Sequence, residues 1–157
     1  MRGLSFMVDG DFFAADVTLV QKVSRNISVT PVPAAPDTVV GIANIKGKVV
    51  TILSLNALLG RNREKNEGWK AAAGMHQINA VIFKPFTDGG DKDITGLLID
   101  KPGDLIDISE NKILPPSTEE KQSCVSGMAE IDGKLYRIIN IGSIIDEFND
   151  GGEIPPE

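Results

Sequence analysis

The sequence is poor in the side chains that most often bind metals or perform covalent catalysis. Its 157 residues include one His, one Cys, one Trp and one Tyr. Sites built from two imidazoles or two thiolates, including the usual mononuclear zinc sites, are therefore excluded, and so is a disulfide within the chain. We expect no metal and no cofactor, and a lone Cys is typical of a protein of the reducing cytosol.

Positive charge and long apolar runs are also scarce. There are 16 Lys and Arg against 22 Asp and Glu, a formal net charge of −6. An acidic chain with few aromatic residues lacks the cationic surface that binds phosphates and the aromatic side chains that stack on bases. This argues against a nucleic-acid partner such as that of an oligonucleotide-binding barrel. The apolar stretch at 48–60 falls short of the roughly 20 residues that cross a bilayer, and no signal peptide is recognisable. We expect a cytoplasmic protein without membrane insertion.

The residues that are abundant indicate strands. The sequence has 18 Ile and 12 Val against 11 Leu, together with 16 Gly and 9 Pro. Branched side chains pack well on a pleated sheet and lose χ1 freedom in a helix, and Gly and Pro separate short elements. The composition therefore predicts an all-β protein.

A repeat organises the chain. Residues 41–59 align without gaps on residues 127–145, and six of the paired positions are identical. Each copy reads as a strand, a Gly turn (Lys46-Gly47 or Asp132-Gly133), a second strand and a short helix. Ser54 and Asn140 stand at equivalent positions and are good N-cap residues for those helices.

The pattern recurs more weakly upstream of each copy, with hairpin turns at 9–10 and 88–90. We predict a single domain over 1–150, made of two halves (4–60 and 78–146), a connector at 61–77 and a short acidic tail at 151–157. Units this small are marginal alone, so the halves should share a core. About five short strands per unit favour small SH3-like or OB-like barrels related by pseudo-duplication, with short helices.

No catalytic arrangement emerges from the reactive side chains. His76 lies at the end of the connector and Cys124 before a strand, and neither has a recognisable partner motif. A small carboxylate-dependent hydrolase remains an alternative, based on six acids at turns and strand ends: Asp88, Asp91, Asp93, Asp100, Asp104 and Asp107. The Gly-rich segment at 88–93 matches no phosphate-binding loop.

Surface apolarity is the remaining functional signal, and it lies in the first half. Val17 and Leu19 alternate with Thr18 and Val20, so a strand here would place apolar residues on both faces. Val23 and the pair Val39–Val40 follow, and we expect most of these residues to belong to the core. Unless the strand is buried on both faces, some of these residues form an exposed apolar strip suited to a partner helix or sheet edge.

The motifs, taken in order, resemble the CheW-like domain of bacterial chemotaxis. The resemblance rests on the Pro-rich run, Gly turn, apolar strand and Leu-rich helix of 29–60 and on the closing segment 127–146. Further matches are 6–23, GLLID at 96–100, LIDIS at 105–109 and the Leu-Pro-Pro of 114–116. Together they cover about residues 4–146.

This resemblance implies an adaptor without enzymatic activity, built from two five-stranded barrels around a joint apolar core. Such an adaptor couples the cytoplasmic tips of chemoreceptors to the histidine kinase CheA, and it docks on the kinase's regulatory domain. Receptor helices would lie in a groove between the subdomains. By position, Val20 matches an apolar receptor-facing residue and Lys46 matches the turn Arg, so the resemblance implies partner binding by Val20, Lys22, Val23, Val39 and Lys46.

The sequence departs from the family pattern at two of these residues. Lys22 replaces the usual Glu and Lys46 the usual Arg, so an acid and a base that could pair have become two cations that repel. We hypothesise altered receptor or kinase choice, because charge placement determines specificity more than affinity. The alternative within the binding class is a divergent CheW-like interaction module in another two-component signalling array.

Overall fold

The computed structural model describes residues 1–60, 76–85, 94–116 and 124–145. These residues form short strands joined by turns, with two short helices: α1 (Leu55–Leu58) and α2 (141–145). The strands are β1 (Arg2–Val8), β2 (Asp11–Asp16), β3 (Val20–Val29), β4 (Val39–Ile45), β5 (Lys48–Leu53), β6 (His76–Phe83), β7 (Ile94–Ile99), β8 (Lys101–Asp107), β9 (Val125–Ile131) and β10 (Lys134–Ile139). The predicted all-β class is confirmed.

Three hairpins have the same two-residue turn. The turns are Asp9–Gly10, Lys46–Gly47 and Asp132–Gly133, in which the first residue has a φ of 52° and the glycine a φ between 77° and 83°. Positive φ at both central residues gives the type I′ twist that matches the twist of paired strands, and Gly adopts it without strain. The expected turn at 88–90 lies outside the described residues.

The strands form two five-stranded sheets with matching order. Sheet 1 runs β8-β1-β2-β10-β9 and sheet 2 runs β3-β6-β7-β5-β4. Neighbours pair antiparallel except for β2 with β10 and β5 with β7, which are parallel. Each sheet therefore takes strands from both halves of the chain: the opening hairpin of each half pairs with the later strands of the other half. The segments 4–60 and 78–146 do not fold as one sheet each.

Each sheet curls so that its edge strands approach at one bridge. Thr30 pairs with Ile42 in sheet 2, and Leu114 pairs with Met128 in sheet 1. The backbone approaches closely at both bridges: a Cβ on Gly41 would overlap the Thr30 carbonyl, and a Cβ on Gly127 would overlap Ile113. The two repeated glycines thus allow each sheet to close into a small barrel.

Alternating side chains divide the interior into three apolar clusters. A joint core between the sheets contains Phe6, Phe13, Phe83 and Leu97 and receives the buried faces of α1 and α2. Sheet 2 encloses a second cluster that includes Ile52 and Ile82. Sheet 1 encloses a third, made of Ala14, Ile108, Ala129 and Ile138. Because side chains on a strand point alternately to opposite faces, one strand serves both its own barrel and the joint core.

The two helices begin at the predicted caps. The Ser54 Oγ accepts a hydrogen bond from the Ala57 N–H at 3.2 Å, and the Asn140 Oδ1 accepts one from the Ser143 N–H at 3.1 Å. After α1 the chain turns at Gly60, whose φ is 76°. These caps satisfy helix N–H groups that would otherwise be unpaired. The helices they begin place Leu55, Leu58 and Ile141 in the joint core.

Candidate partner-docking site

The apolar residues expected to form an exposed strip around Val20 are half-buried, and the first part of this segment is not a strand. Val17–Leu19 form a 3₁₀ turn, because the Asp16 Oδ1 accepts a hydrogen bond from the Thr18 N–H at 3.0 Å. β3 begins only at Val20. Leu19, Val20 and Val23 are half-buried and pack against the edge of the joint core, which leaves an apolar rim between the two sheets.

A shallow cleft of about 120 Å³ lies at sheet 2, where Val50, Ile82 and Ile94 of the second cluster line it, whereas Val20 and Val23 pack against the joint core. Its floor is apolar, and its border is polar and cationic. β3 supplies part of the border, and the Lys46–Gly47 turn with the start of β5 supplies the rest. The residues that line the cleft are Gln21, Lys22, Ile45, Lys46, Lys48, Val50, Ile82 and Ile94.

The predicted site residues fall into three places. Lys22 and Lys46, distant in sequence, both line the cleft. Val20 and Val23 flank Lys22 on the same strand and belong to the apolar rim. Val39 is 6% exposed and lies in the joint core, so its side chain supports the site from inside rather than facing a partner.

Lys48 and Gln21 were missed by the sequence reasoning, although the local pattern contained a signal for Lys48. A two-residue turn places Lys48 directly across the hairpin from Ile45. A Lys on either side of Gly47 therefore projects near the same end of the sheet. Gln21 could not be found this way, because it sits where the pairing of β3 with β6 is irregular.

Lysines are the charged residues that line the cleft in the described part of the chain. They are Lys22, Lys46 and Lys48. Within the described parts of the chain, none of these three ammonium groups forms an ion pair. The described lining of the cleft is thus cationic on a chain of net charge −6.

The carboxylates proposed for the hydrolase alternative do not converge where the structure describes them. Asp100 precedes β8 and accepts a hydrogen bond from the Asp9 N–H at 2.7 Å, and Asp107 pairs with Arg2 at 3.2 Å. Asp104 lies between them, so the strand rise separates it from each by about 10 Å or more. That spacing suits a strand edge more than a pair acting on one bond. Asp88, Asp91 and Asp93 lie outside the described residues.

Cys124 and His76 are the two other reactive residues considered from the sequence. Cys124 is fully buried in the joint core, and its thiol donates to the Leu58 carbonyl at 3.6 Å. The His76 backbone begins β6, whereas its side chain lies outside the described residues. In the parts of the chain that were described, no three His, Cys, Asp or Glu side chains cluster as metal ligands. Likewise, no helix there is long and apolar enough to span a membrane.

Comparisons with known proteins agree with this architecture. The family model described as the CheW-like domain matches residues 2–149. The chemotaxis protein CheW of Thermotoga maritima is 26% identical over 146 residues, which cover 92% of this chain and 87% of that protein. CheW of Rhizobium meliloti is 25% identical over 144 residues, covering 90% and 84%.

A solved structure supports the fold. The scaffolding protein TtCheW from Thermoanaerobacter tengcongensis superposes with a TM-score of 0.70 at 24% identity, covering 89% of this chain and 84% of that one. Two matching five-stranded sheets, a joint core and a family match along nearly the whole sequence lead to one conclusion. This chain belongs to the CheW-like domain family, whose members are scaffold proteins of chemotaxis and not enzymes.

Proposed function

We propose that this protein is a cytoplasmic adaptor that couples the signalling tips of chemoreceptors to the regulatory domain of the histidine kinase CheA. The observation that carries the proposal is that β3 holds the half-buried Val20 and Val23 at the edge of the joint core together with Lys22, which lines the cleft with Lys46. An apolar strip bordered by charge is the kind of surface on which a partner helix docks, since burial supplies affinity and the charges orient the partner.

The test measures binding of the protein to two purified probes from the same bacterium: the CheA regulatory domain and a receptor-tip fragment. We expect both to bind and to form a ternary complex. Val20→Asp should weaken receptor-tip binding at least about tenfold, because it places a carboxylate in the apolar rim. Leu105→Asp is the matched control, since Leu105 is 56% exposed on β8 in the other sheet.

A thermal melt of each variant separates a lost contact from a lost fold. Failure of the wild-type protein to bind either probe would contradict the adaptor function. Equal weakening by Val20→Asp and Leu105→Asp would contradict the placement of the receptor site at the rim.

The cationic cleft favours a second candidate, an interaction module in another two-component signalling array. Lys22 and Lys46 stand together where the family pattern has an acid and a base, so the complementary surface on the partner must differ. Binding to a non-chemotaxis histidine kinase of the same bacterium, with no affinity for the receptor-tip fragment, would favour this candidate over the first.

A further inference from the structure

Strand β3 carries two irregularities that decide which of its side chains lie on which face of sheet 2. Its pairing with β6 shifts by one residue between Val20 and Lys22, and again between Ser24 and Ile27. At each shift two residues of β3 oppose one residue of β6, which makes each of them a β-bulge. Bulges commonly redirect side chains at functional sites, and β3 is the strand on which the proposed partner docks.

The first bulge brings two consecutive side chains to one place. Gln21 is the additional residue, Lys22 pairs with Ile82, and all three line the cleft at sheet 2. Consecutive side chains of a regular strand point to opposite faces, so only one of the two from β3 would reach the cleft without the bulge. The same bulge lets Val20 and Val23, three residues apart, both pack against the joint core.

The second bulge reverses the faces of the strand. Ile27 packs against the cluster enclosed by sheet 2, whereas Val23 packs against the joint core on the other side of that sheet. Residues four apart on a regular strand share a face, so the reversal requires the additional residue between Ser24 and Ile27. Without it Val23 would oppose Ile82 and turn away from the joint core.

A side chain of the neighbouring strand holds the second bulge. Asn26, within the bulge, has a φ of 52°, which lies in the left-handed region that most side chains avoid. Asn79 is the residue of β6 opposite the bulge, and its Oδ1 accepts a hydrogen bond from the Asn26 N–H at 3.1 Å. Because an inserted residue interrupts the ladder of backbone hydrogen bonds, the Asn79 amide takes the place of a backbone acceptor.

The Asn79 amide is itself oriented from the other side. Its Nδ2 donates a hydrogen bond to the Asp100 carbonyl at 3.1 Å. Asp100 is in turn bound to the β1–β2 hairpin: its carboxylate accepts from the Asp9 N–H at 2.7 Å, and its own N–H donates to the Met7 carbonyl at 2.9 Å. One amide therefore connects the bulge of β3 in sheet 2 to a turn of sheet 1.

We propose that Asn79 is a positioning residue for docking of the chemoreceptor tip, because it holds the bulge that directs Val23 to the joint core and Lys22 to the cleft. The inference rests on the proposed adaptor function and adds a residue that acts through β3. A strand that slips by one residue presents its other face to the receptor helix. The apparent affinity then falls with the fraction of molecules that keep the bulged register.

The test removes the amide and compares the result with two control variants. Asn79→Leu keeps a branched side chain and loses both hydrogen bonds. Gln77→Leu places the same side chain two residues away on β6, where Gln77 pairs with Ser28 beyond the bulge. Ser54→Ala removes the cap of α1 and controls for a general loss of stability. Thermal melts verify that all variants fold.

Affinity for the receptor-tip fragment is the first measurement. We expect Asn79→Leu to bind at least about threefold more weakly than the wild type, since two hydrogen bonds that favour the bulged register are lost. Gln77→Leu and Ser54→Ala should stay within about twofold. Adding Asn26→Gly to Asn79→Leu should restore the affinity, because glycine adopts a positive φ without strain and the bulge no longer depends on the amide.

The second measurement needs no partner. Val23 pairs with Val81, and both residues contact the joint core, so their methyl groups should give a nuclear Overhauser effect in the wild type. We expect this signal to weaken in Asn79→Leu, to return when Asn26→Gly is added, and to stay unchanged in Gln77→Leu.

Three results would overturn the inference. If the wild type binds the receptor fragment and Asn79→Leu binds equally well, the adaptor function stands and the positioning role is wrong. If Asn79→Leu and Ser54→Ala weaken binding alike, the cause is lost stability and the positioning role is again wrong. If the wild type does not bind the receptor fragment, receptor docking itself fails and takes the role of Asn79 with it.

Discussion

At the scale of single residues, Gly41 and Gly127 matter because of what lies next to them rather than because of their own flexibility. Neither has a positive φ, and both sit where the two edges of a barrel meet. A side chain on either would push the Thr30–Ile42 or Leu114–Met128 bridge apart. Gly therefore occupies both of these equivalent positions of the repeat for a steric reason.

We expect Gly41→Ala to lower the free energy of unfolding by ~2 kcal/mol, since overpacking a close contact typically costs ~1–3 kcal/mol. Gly142→Ala is the control. Gly142 lies in α2, where the nearest atom to a new Cβ would be 3.6 Å away, and Ala should stabilise the helix by up to ~1 kcal/mol. Urea denaturation of both variants measures the difference, and equal stabilities would contradict the steric role of Gly41.

The sequence predicted the backbone conformation of single residues wherever local chemistry determines that conformation. Asp132-Gly133 and Lys46-Gly47 were recognised as hairpin turns because positive φ restricts the residue types that fit. The sequence left open whether Val39 faces the core or a partner, because its environment depends on where Leu53 and the helix after it pack in the joint core. For the same reason, sequence reasoning linked Lys22 to Lys46 only through the family resemblance, and the cleft they share required the fold.

At the scale of elements, short helices need their caps. α1 spans Leu55–Leu58, so it has almost no internal hydrogen bonds, and the Ser54 cap holds it against the core. The 3₁₀ turn at Val17–Leu19 depends in the same way on Asp16. There, apolar alternation indicated a strand, but the hydrogen bond that the Asp16 side chain accepts from the Thr18 N–H competes successfully with sheet pairing.

Removal of the α1 cap should destabilise the whole protein. We expect Ser54→Ala to reduce the free energy of unfolding by ~1 kcal/mol, the usual cost of losing an N-cap hydrogen bond. Ser28→Ala, at an exposed position on β3, should change it by less than ~0.5 kcal/mol. Thermal melts of the two variants provide the comparison, and a neutral Ser54→Ala would mean that packing alone holds α1.

At the scale of the whole molecule, the exchange of hairpins between the halves makes the two barrels interdependent. β2 pairs with β10 from the end of the chain, and β5 pairs with β7 across the connector. Sequence comparison revealed the repeat and the five-strand units, because both are local patterns. It did not reveal the exchange, because each sheet places the opening hairpin of one half between the third and fifth strands of the other half, and a local pattern does not say which copy of the hairpin takes that place.

A chain cut within the connector tests this interdependence. We expect fragments 1–66 and 67–157 to be unfolded when purified separately and to form a folded complex when mixed, because each sheet contains strands from both fragments. Circular dichroism and size-exclusion chromatography follow the recovery. A folded monomer of either fragment alone would contradict the requirement for exchanged strands.

The exchanged hairpin also has a consequence for how the protein is made. β1 and β2 precede β8 and β10, the two strands that flank them in sheet 1, by many residues along the chain. Until β8 and β10 have been made, both edges of the β1–β2 hairpin lack their sheet neighbours. During synthesis the chain therefore carries an apolar hairpin with unpaired edges, which exposes it to aggregation.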